Sequence, residues 1–303
     1  HVLDVGADDL LSMVPFVASA WDEPFGDPSM LPALALSRAV RSSATVWVSG
    51  VGGDELFAGY GRHALVARVE RATKRVPTAL TRTLGRALSW PSASAIDRTT
   101  RALQPVLPKR MRSTRPGEAV RTLGTVAGGD ARSWERLIEV WPVRALGDRS
   151  APEPSTMCMP RGLTPLEHML WLDTATVLPN RVLVAIDRAS MSASLQVRAP
   201  LLSPALLRLA WRQPVETRAS GSGKAVFRSV AERMLPAEVA QRPQAGFDLP
   251  LAAWLRGPLR PWAEDMLSTA RSVERGWLDG DAVASTWSDH RSGRRDNTDR
   301  LWS

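Results

Sequence analysis

The stretch from Val46 to Tyr60, V-W-V-S-G-V-G-G-D-E-L-F-A-G-Y, constrains this chain more than any other. Its apolar start, rich in Val and Trp, reads as a short buried strand over 45–49. Gly50, Gly52 and Gly53 then permit a sharp turn with close approach to the backbone. Asp54 and Glu55 stand where the first turn of a helix would begin. In such a corner Ser49, Gly50, Gly52 and Gly53 offer backbone N–H groups to an anion, and the helix start adds a partial positive charge. The two acids suit either capping that helix or holding a Mg²⁺ ion beside a phosphate. A strand–turn–helix corner with acids in its first turn is also common as plain architecture, so the loop alone leaves both roles open.

The flanking pattern places this corner in a parallel sheet. Val2 to Val5 alternates like a half-buried strand, and Asp9 to Trp21 has apolar residues at helical spacing. A helical connection predicts that strands 2–5 and 45–49 run parallel. Asp22-Glu23-Pro24 ends the first helix, because the residue before proline avoids the helical region. Ser29 is placed to cap a second helix through Arg41. Residues 64–163 read as a variable, arginine-rich helical insertion broken by prolines. Thr164-Pro165-Leu166-Glu167 is a helix start with a Thr cap, Pro at the first position and Glu three after the cap. Helices are predicted over 165–178, 181–194, 204–212 and 224–234. The fold class is therefore α/β and predominantly helical, with the whole of 1–303 forming one unit.

Composition narrows the function. With 44% hydrophobic residues, 23% charged residues and twelve tryptophans, the chain is globular. No run of 18 or more apolar residues appears, which argues against a membrane span. Cys158 is the only cysteine, which excludes an internal disulfide and fits a reducing cytoplasm. The start, H-V-L-D-V-G-A-D-D, lacks the features of a signal peptide. It also lacks an initiator methionine, so the chain is read as a piece of something longer. The net charge of +8 is concentrated in arginines between Arg62 and Arg149. A nucleic-acid surface would carry aromatics among those arginines; in the basic runs 68–75 and 107–115 none interleave, which favours a solvated helical face. His1, His63, His168 and His290 lack metal-ligand spacing and read as structural, and Trp171, Trp211, Trp254, Trp262 and Trp287 read as core.

Further segments point to one chemistry. They are D-E-P-F-G-D-P-S (22–29), L-P-N-R-V-L-V-A-I-D-R-A-S-M-S-A-S-L-Q-V-R-A-P-L-L (178–202), G-K-A-V-F-R-S-V-A-E-R-M-L-P (223–236) and R-P-Q-A-G-F-D-L-P-L-A-A-W-L (242–255). With the glycine loop, and in the same order and spacing, they resemble the C-terminal synthetase domain of the glutamine-hydrolysing asparagine synthetase family. β-Lactam synthetases and lasso-peptide cyclases are similar. The resemblance implies an adenine-nucleotide alpha-hydrolase-like (Rossmann-like) parallel sheet with a helical lobe. It implies that ATP adenylates a small-molecule carboxylate, aspartate or a related acid, and that ammonia or an amine then displaces AMP. The ammonia would come from an N-terminal glutaminase domain. ATP and Mg²⁺ are the implied cofactors, with Asp54 matching a Mg²⁺ ligand. Ser49, Gly50, Gly52, Gly53, Asp187, Arg188 and Lys224 match nucleotide-site positions. For Asp187 and Arg188 an internal salt bridge is the plain alternative, and for Lys224 a surface lysine at a helix start. G-S-G-K at 221–224 is not a P-loop, since Arg218 stands where its first glycine belongs and Ala225 follows the lysine.

The chain departs from the family at chemical positions. Val51 replaces the acid or tyrosine of the loop. Gln196 replaces the glutamate of S-L-E-x-R, Gln244 replaces the lysine of R-P-K-x-G-F, and Ser203 replaces an aspartate. The family's pyrophosphate loop, Ser-Gly-Gly-x-Asp-Ser, occurs nowhere in the 303 residues. The alternatives are therefore a catalytically degenerate homologue or fragment serving as a partner or scaffold, and an arginine-rich nucleic-acid-binding protein.

Overall fold

In the computed structural model, residues 4–23, 25–89, 116–128, 160–220, 223–242, 249–268 and 279–303 are described. Strand β1 (Val46–Val48) pairs in parallel with β2 (Gln196–Arg198), with Val46 opposite Gln196, Trp47 opposite Val197 and Val48 opposite Arg198. Hydrogen bonds from Gln196 N to Thr45 O (3.0 Å) and Ser49 N to Arg198 O (2.8 Å) close the ladder at both ends. This pair was not expected from the sequence, and residues 2–3 of the expected partner lie outside the described residues. Asp4 and Val5, the described part of the expected first strand, are exposed and outside the sheet. Their backbone leads straight into a helix cap, where Gly6 N–H bonds the Asp9 carboxylate at 2.8 Å. The strand at 45–49 is also not buried as expected: Val46 and Val48 are 47% and 66% exposed. Alternate strand residues face opposite sides, and the side carrying Val46, Val48, Gln196 and Arg198 is open.

Three apolar clusters hold the helices. The first joins α1 (Ala7–Ala20) and α2 (Met30–Arg41) through Leu10, Val14, Met30, Leu31 and Leu34 to Trp21, Ala189, Leu251, Trp254 and Leu255. Segments at opposite ends of the sequence thus share one core. Each fully buried Leu or Met contributes about 1.5–3 kcal/mol. The second cluster packs Val66 and Val126 against Leu166, Met169 and Leu170. The third sets Leu56 and Phe57 against Ala210, with Phe227 edge-on to Phe57 at 4.6 Å between ring centroids. The described parts of 64–163 are largely helical: most of α4 (Gly61–Thr73), α5 (Thr78–Ser89) and α6 (Pro116–Gly128), with turns at 74–77 and 160–163.

The Thr164 start behaves as its sequence predicts. Thr164 Oγ1 accepts from Glu167 N (3.2 Å), and the Glu167 carboxylate accepts from Thr164 N (2.9 Å). The helical region after this cap differs from expectation. Instead of two helices, one continuous rod runs from Pro165 to Ser192: α7 (Pro165–Leu172), a π-helical segment (Asp173–Leu183) and α8 (Val184–Ser192). Pro179 lies inside the π segment. In an α-helix a proline loses one backbone bond and strikes the carbonyl four residues back; the wider i→i+5 winding moves that carbonyl away, so the rod continues. At 28 residues the rod is long and apolar enough to cross a bilayer by length and composition. Asp173, Arg181, Asp187 and Arg188 interrupt its apolar residues, so it holds no unbroken apolar run of that length. Met169 and Leu170 of the rod lie in the second core and Ala189 in the first.

Candidate functional site

The glycine loop sits at the C-terminal end of β1, beside the chain leaving β2. Gly53 N–H returns to Gly50 O at 3.3 Å, closing a tight turn. Gly52 adopts φ +94°, and a Cβ there would fall 2.2 Å from Leu202. Only glycine satisfies both the torsion and the space. Gly50, by contrast, faces open space. The helix after the loop, α3, spans only Gly53–Leu56. Its partial charge is accordingly slight, because a macrodipole needs aligned turns.

Asp54 and Lys224, 170 positions apart, form an ion pair at 2.8 Å, each about three-quarters buried. The chain is shaped for this contact. Lys224 N donates to Phe57 O at 2.8 Å. Gly223 (φ +84°) lies so close that a Cβ would come 2.2 Å from Ala58 O. A Cβ on Gly59 would overlap the Asp54 carboxylate and the Lys224 stem. Both residues were expected at the nucleotide site, and the structure brings them together.

Val51, Asp187 and Arg188 meet in a second place. They line a cavity of about 360 Å³ between the strand ends and the rod, together with Pro179, Leu183, Val184, Ile186, Val197 and Ala199. Arg188 Nη1 contacts Asp187 at 3.2 Å and its Nε contacts Asp22 at 3.1 Å. The salt-bridge alternative for this pair is thus realised at the cavity's edge. Gln196 is exposed and stands on the opposite sheet face from Val197, so it does not share this cavity. Gln244 and Cys158 lie outside the described residues.

Behind the loop lies a polar cluster that sequence reasoning missed. Glu55, only 1% exposed, accepts a hydrogen bond from the hydroxyl of Tyr60, the chain's single tyrosine. Burial raises the Glu55 carboxyl above the ordinary glutamate value, and burial together with the Glu55 charge raises the Tyr60 phenol. Next to them His63 Nε2 meets Asp173 Oδ2 at 2.6 Å, both side chains fully buried. Arg62, over the Tyr60 ring at 4.0 Å, approaches the same oxygen at 2.9 Å. Tyr60 N–H points at His63 Nδ1 (3.4 Å), which places the ring proton on Nε2, towards Asp173. Asp173 Oδ1 is buried without a hydrogen-bond partner among the described residues. The cluster ties the loop's helix to the first turn of the π segment. Its members come from residues 55–63 and 173, and the only hint in sequence was an acid interrupting an apolar helix.

The fit to Mg²⁺ is poor from these residues alone. The Asp54 carboxylate is engaged by Lys224, Glu55 is turned inward, and no three His, Cys, Asp or Glu residues cluster as metal ligands among the described residues.

The asparagine synthase family model matches residues 1–303. A putative glutamine-hydrolysing asparagine synthetase of Mycobacterium tuberculosis is 31% identical over 99% of this chain and 44% of its own length, and its Mycobacterium bovis counterpart matches equally. Glutamine-hydrolysing asparagine synthetase 1 of Bacillus subtilis is 22% identical over 99% of this chain and 45% of its own length. The chain therefore spans under half the length of these relatives. No solved structure matches it. By the family match and the mycobacterial relatives, the chain belongs to the asparagine synthase family.

Proposed function

We propose that this chain forms the later portion of a synthetase domain that makes amides at the expense of ATP, on a Rossmann-like parallel sheet. The observation that carries the reading is the convergence at the strand ends. A glycine loop follows β1, a lysine 170 residues away is folded onto Asp54 behind it, and a substrate-sized cavity opens at Val51. Ligands of open parallel sheets bind at this edge. In this reading the loop backbone and Lys224 receive the phosphates of ATP, with Lys224 offsetting charge on the departing pyrophosphate. The cavity holds the carboxylic acid. Nitrogen arrives as ammonia, from a glutaminase domain as in the glutamine-hydrolysing relatives, or as an amine.

One observation favours a second reading, a catalytically silent homologue: Val51 and Gln196 carry no ionisable group where the family has one. The family match and the relatives favour the first. The two are separated by supplying full-length protein with ATP, Mg²⁺, a carboxylic acid and ammonia. The amide-forming reading predicts AMP and pyrophosphate in equal, acid-dependent amounts; formation of ADP, or ATP binding without turnover, contradicts it.

A further inference from the structure

We infer that Arg218 is a positioning residue for Lys224: it anchors the stretch 218–224 to the back of α3, and so sets the lysine's ammonium against Asp54 beside the glycine loop. That a lysine placed in this way serves ATP rests on the amide-forming reading; the placement itself does not. Arg218 closes α10 (Val215–Arg218), a single turn, and is 1% exposed. Its Nη1 donates to the carbonyl oxygen of Leu56, the last residue of α3, at 3.3 Å. Its guanidinium carbon lies 4.9 Å from the centroid of the Trp211 ring, on α9 (Pro204–Arg212).

Arginine is rarely buried to this extent. Burial works against its charge, and the nearby Glu167 carboxylate offsets only part of that effect. An apolar side chain of similar size would fill the space at less cost. What the guanidinium adds is a donor at the end of a long arm, and that donor meets α3 itself. The peptide carrying Leu56 O also carries Phe57 N–H, which donates to Gly53 O at 3.2 Å. The arm therefore grips the one turn that bears Asp54.

Further along the chain a second contact reaches the same turn. Lys224 N donates to Phe57 O at 2.8 Å, the carbonyl next to the one that Arg218 holds. Between the two contacts the chain bends sharply. Gly223 N returns to Ser220 O at 3.2 Å, and Gly223 and Lys224 hold φ angles of +84° and +53°. A lysine keeps such a φ only where its surroundings impose it. Two anchors on consecutive carbonyls do so, and the result is Nζ at 2.8 Å from the Asp54 carboxylate. With the inner anchor removed, the strained lysine relaxes towards negative φ and its ammonium leaves Asp54.

The test reads Lys224 directly. Acetylation of the full-length protein by sulfo-N-hydroxysuccinimide acetate is followed lysine by lysine with mass spectrometry, and exposed Lys74 serves as the internal control. Arg218→Met exchanges the arm for an apolar one. It should still melt cooperatively and raise the Lys224 rate about fivefold relative to Lys74, the upper end for losing a partly exposed ion pair. Arg218→Lys keeps a cationic donor on a shorter arm and should raise the ratio less, about twofold. An arginine that only stabilises the fold would change the melting temperature and leave the ratio where it was. An unchanged ratio in folded Arg218→Met therefore overturns the inference. Should that variant not fold, Arg218→Lys decides: a rise supports the inference and an unchanged ratio overturns it. Labelled pyrophosphate exchange on the same samples probes the reading beneath. Its absence from the wild type, with the lysine rates as expected, would remove the amide-forming reading and leave the role of Arg218 in place.

Discussion

Ala58, Ser194 and Lys224 hold φ angles of +57°, +56° and +53°, a region that costs residues with a side chain about 1–3 kcal/mol. All three flank segments that build the site: the turn after α3, the entry to β2 and the lysine facing Asp54. Ser194 occupies the left-handed position that ends α8, with Leu195 N bonded back to Ser190 O at 2.9 Å. The neighbouring glycines separate stability from function. At Gly59 an added methyl meets only the flexible ends of Asp54 and Lys224, which can swing aside. Gly59→Ala is therefore expected to cost about 1 kcal/mol or less, in line with a partly exposed ion pair, while parting the two residues and impairing pyrophosphate exchange. At Gly223 the methyl meets backbone at positive φ. Gly223→Ala should cost about 1–3 kcal/mol. Denaturant melts of both variants check the contrast.

Glu55 makes a further prediction at this scale. Its carboxyl is raised in the folded state, chiefly by burial, so the folded protein holds that proton more tightly than the unfolded chain. The contribution is fully present below the ordinary glutamate value of 4.5 and is lost as pH rises through the raised folded value. Glu55→Gln, which cannot ionise, should gain stability relative to the wild type as pH is raised from 4 to 7. A difference in melting that does not change over that interval would show that Glu55 is not held in this way.

The rod and the segment docked along it define the scale of elements. Asp27 and Asp22 bind Arg181 and Arg188, seven residues apart on the rod. Asp22 is largely exposed, and Asp22→Ala should change stability by about 0–1 kcal/mol. Asp27 is mostly buried and also accepts from Ser29 N at 2.9 Å, so Asp27→Ala should cost more, about 1–3 kcal/mol. Thermal melts giving equal losses would contradict this ordering. Elements with strong local signals were legible in sequence: the Thr164 capping box and the helix at 204–212 appear as predicted. Passage of the rod through Pro179 was not legible, because proline reads locally as a break and the π winding that tolerates it has no sequence signature.

For the whole molecule, sequence brought together what motifs can name and missed what only packing creates. The motifs named the loop, Asp54, Lys224, Asp187 and Arg188; the structure pairs Asp54 with Lys224 and, in a second place, sets Val51 beside Asp187 and Arg188. The pairing of β1 with β2 was not legible, because a register joining residues 46–48 to 196–198 depends on how the intervening helices pack. The polar cluster at Glu55, Tyr60, His63 and Asp173, and the apolar character of the cavity at Val51, likewise arise from residues distant in sequence. What unites these features is the claim that the edge beside Lys224 activates a carboxylate with ATP. The direct measurement is pyrophosphate exchange by the full-length protein and its Lys224→Ala variant, with the acid that drives exchange best. The account predicts clear exchange in the wild type and a loss of about 10²–10³-fold in the variant, with both proteins remaining folded. Exchange undiminished by Lys224→Ala, or absent from the wild type, would contradict it.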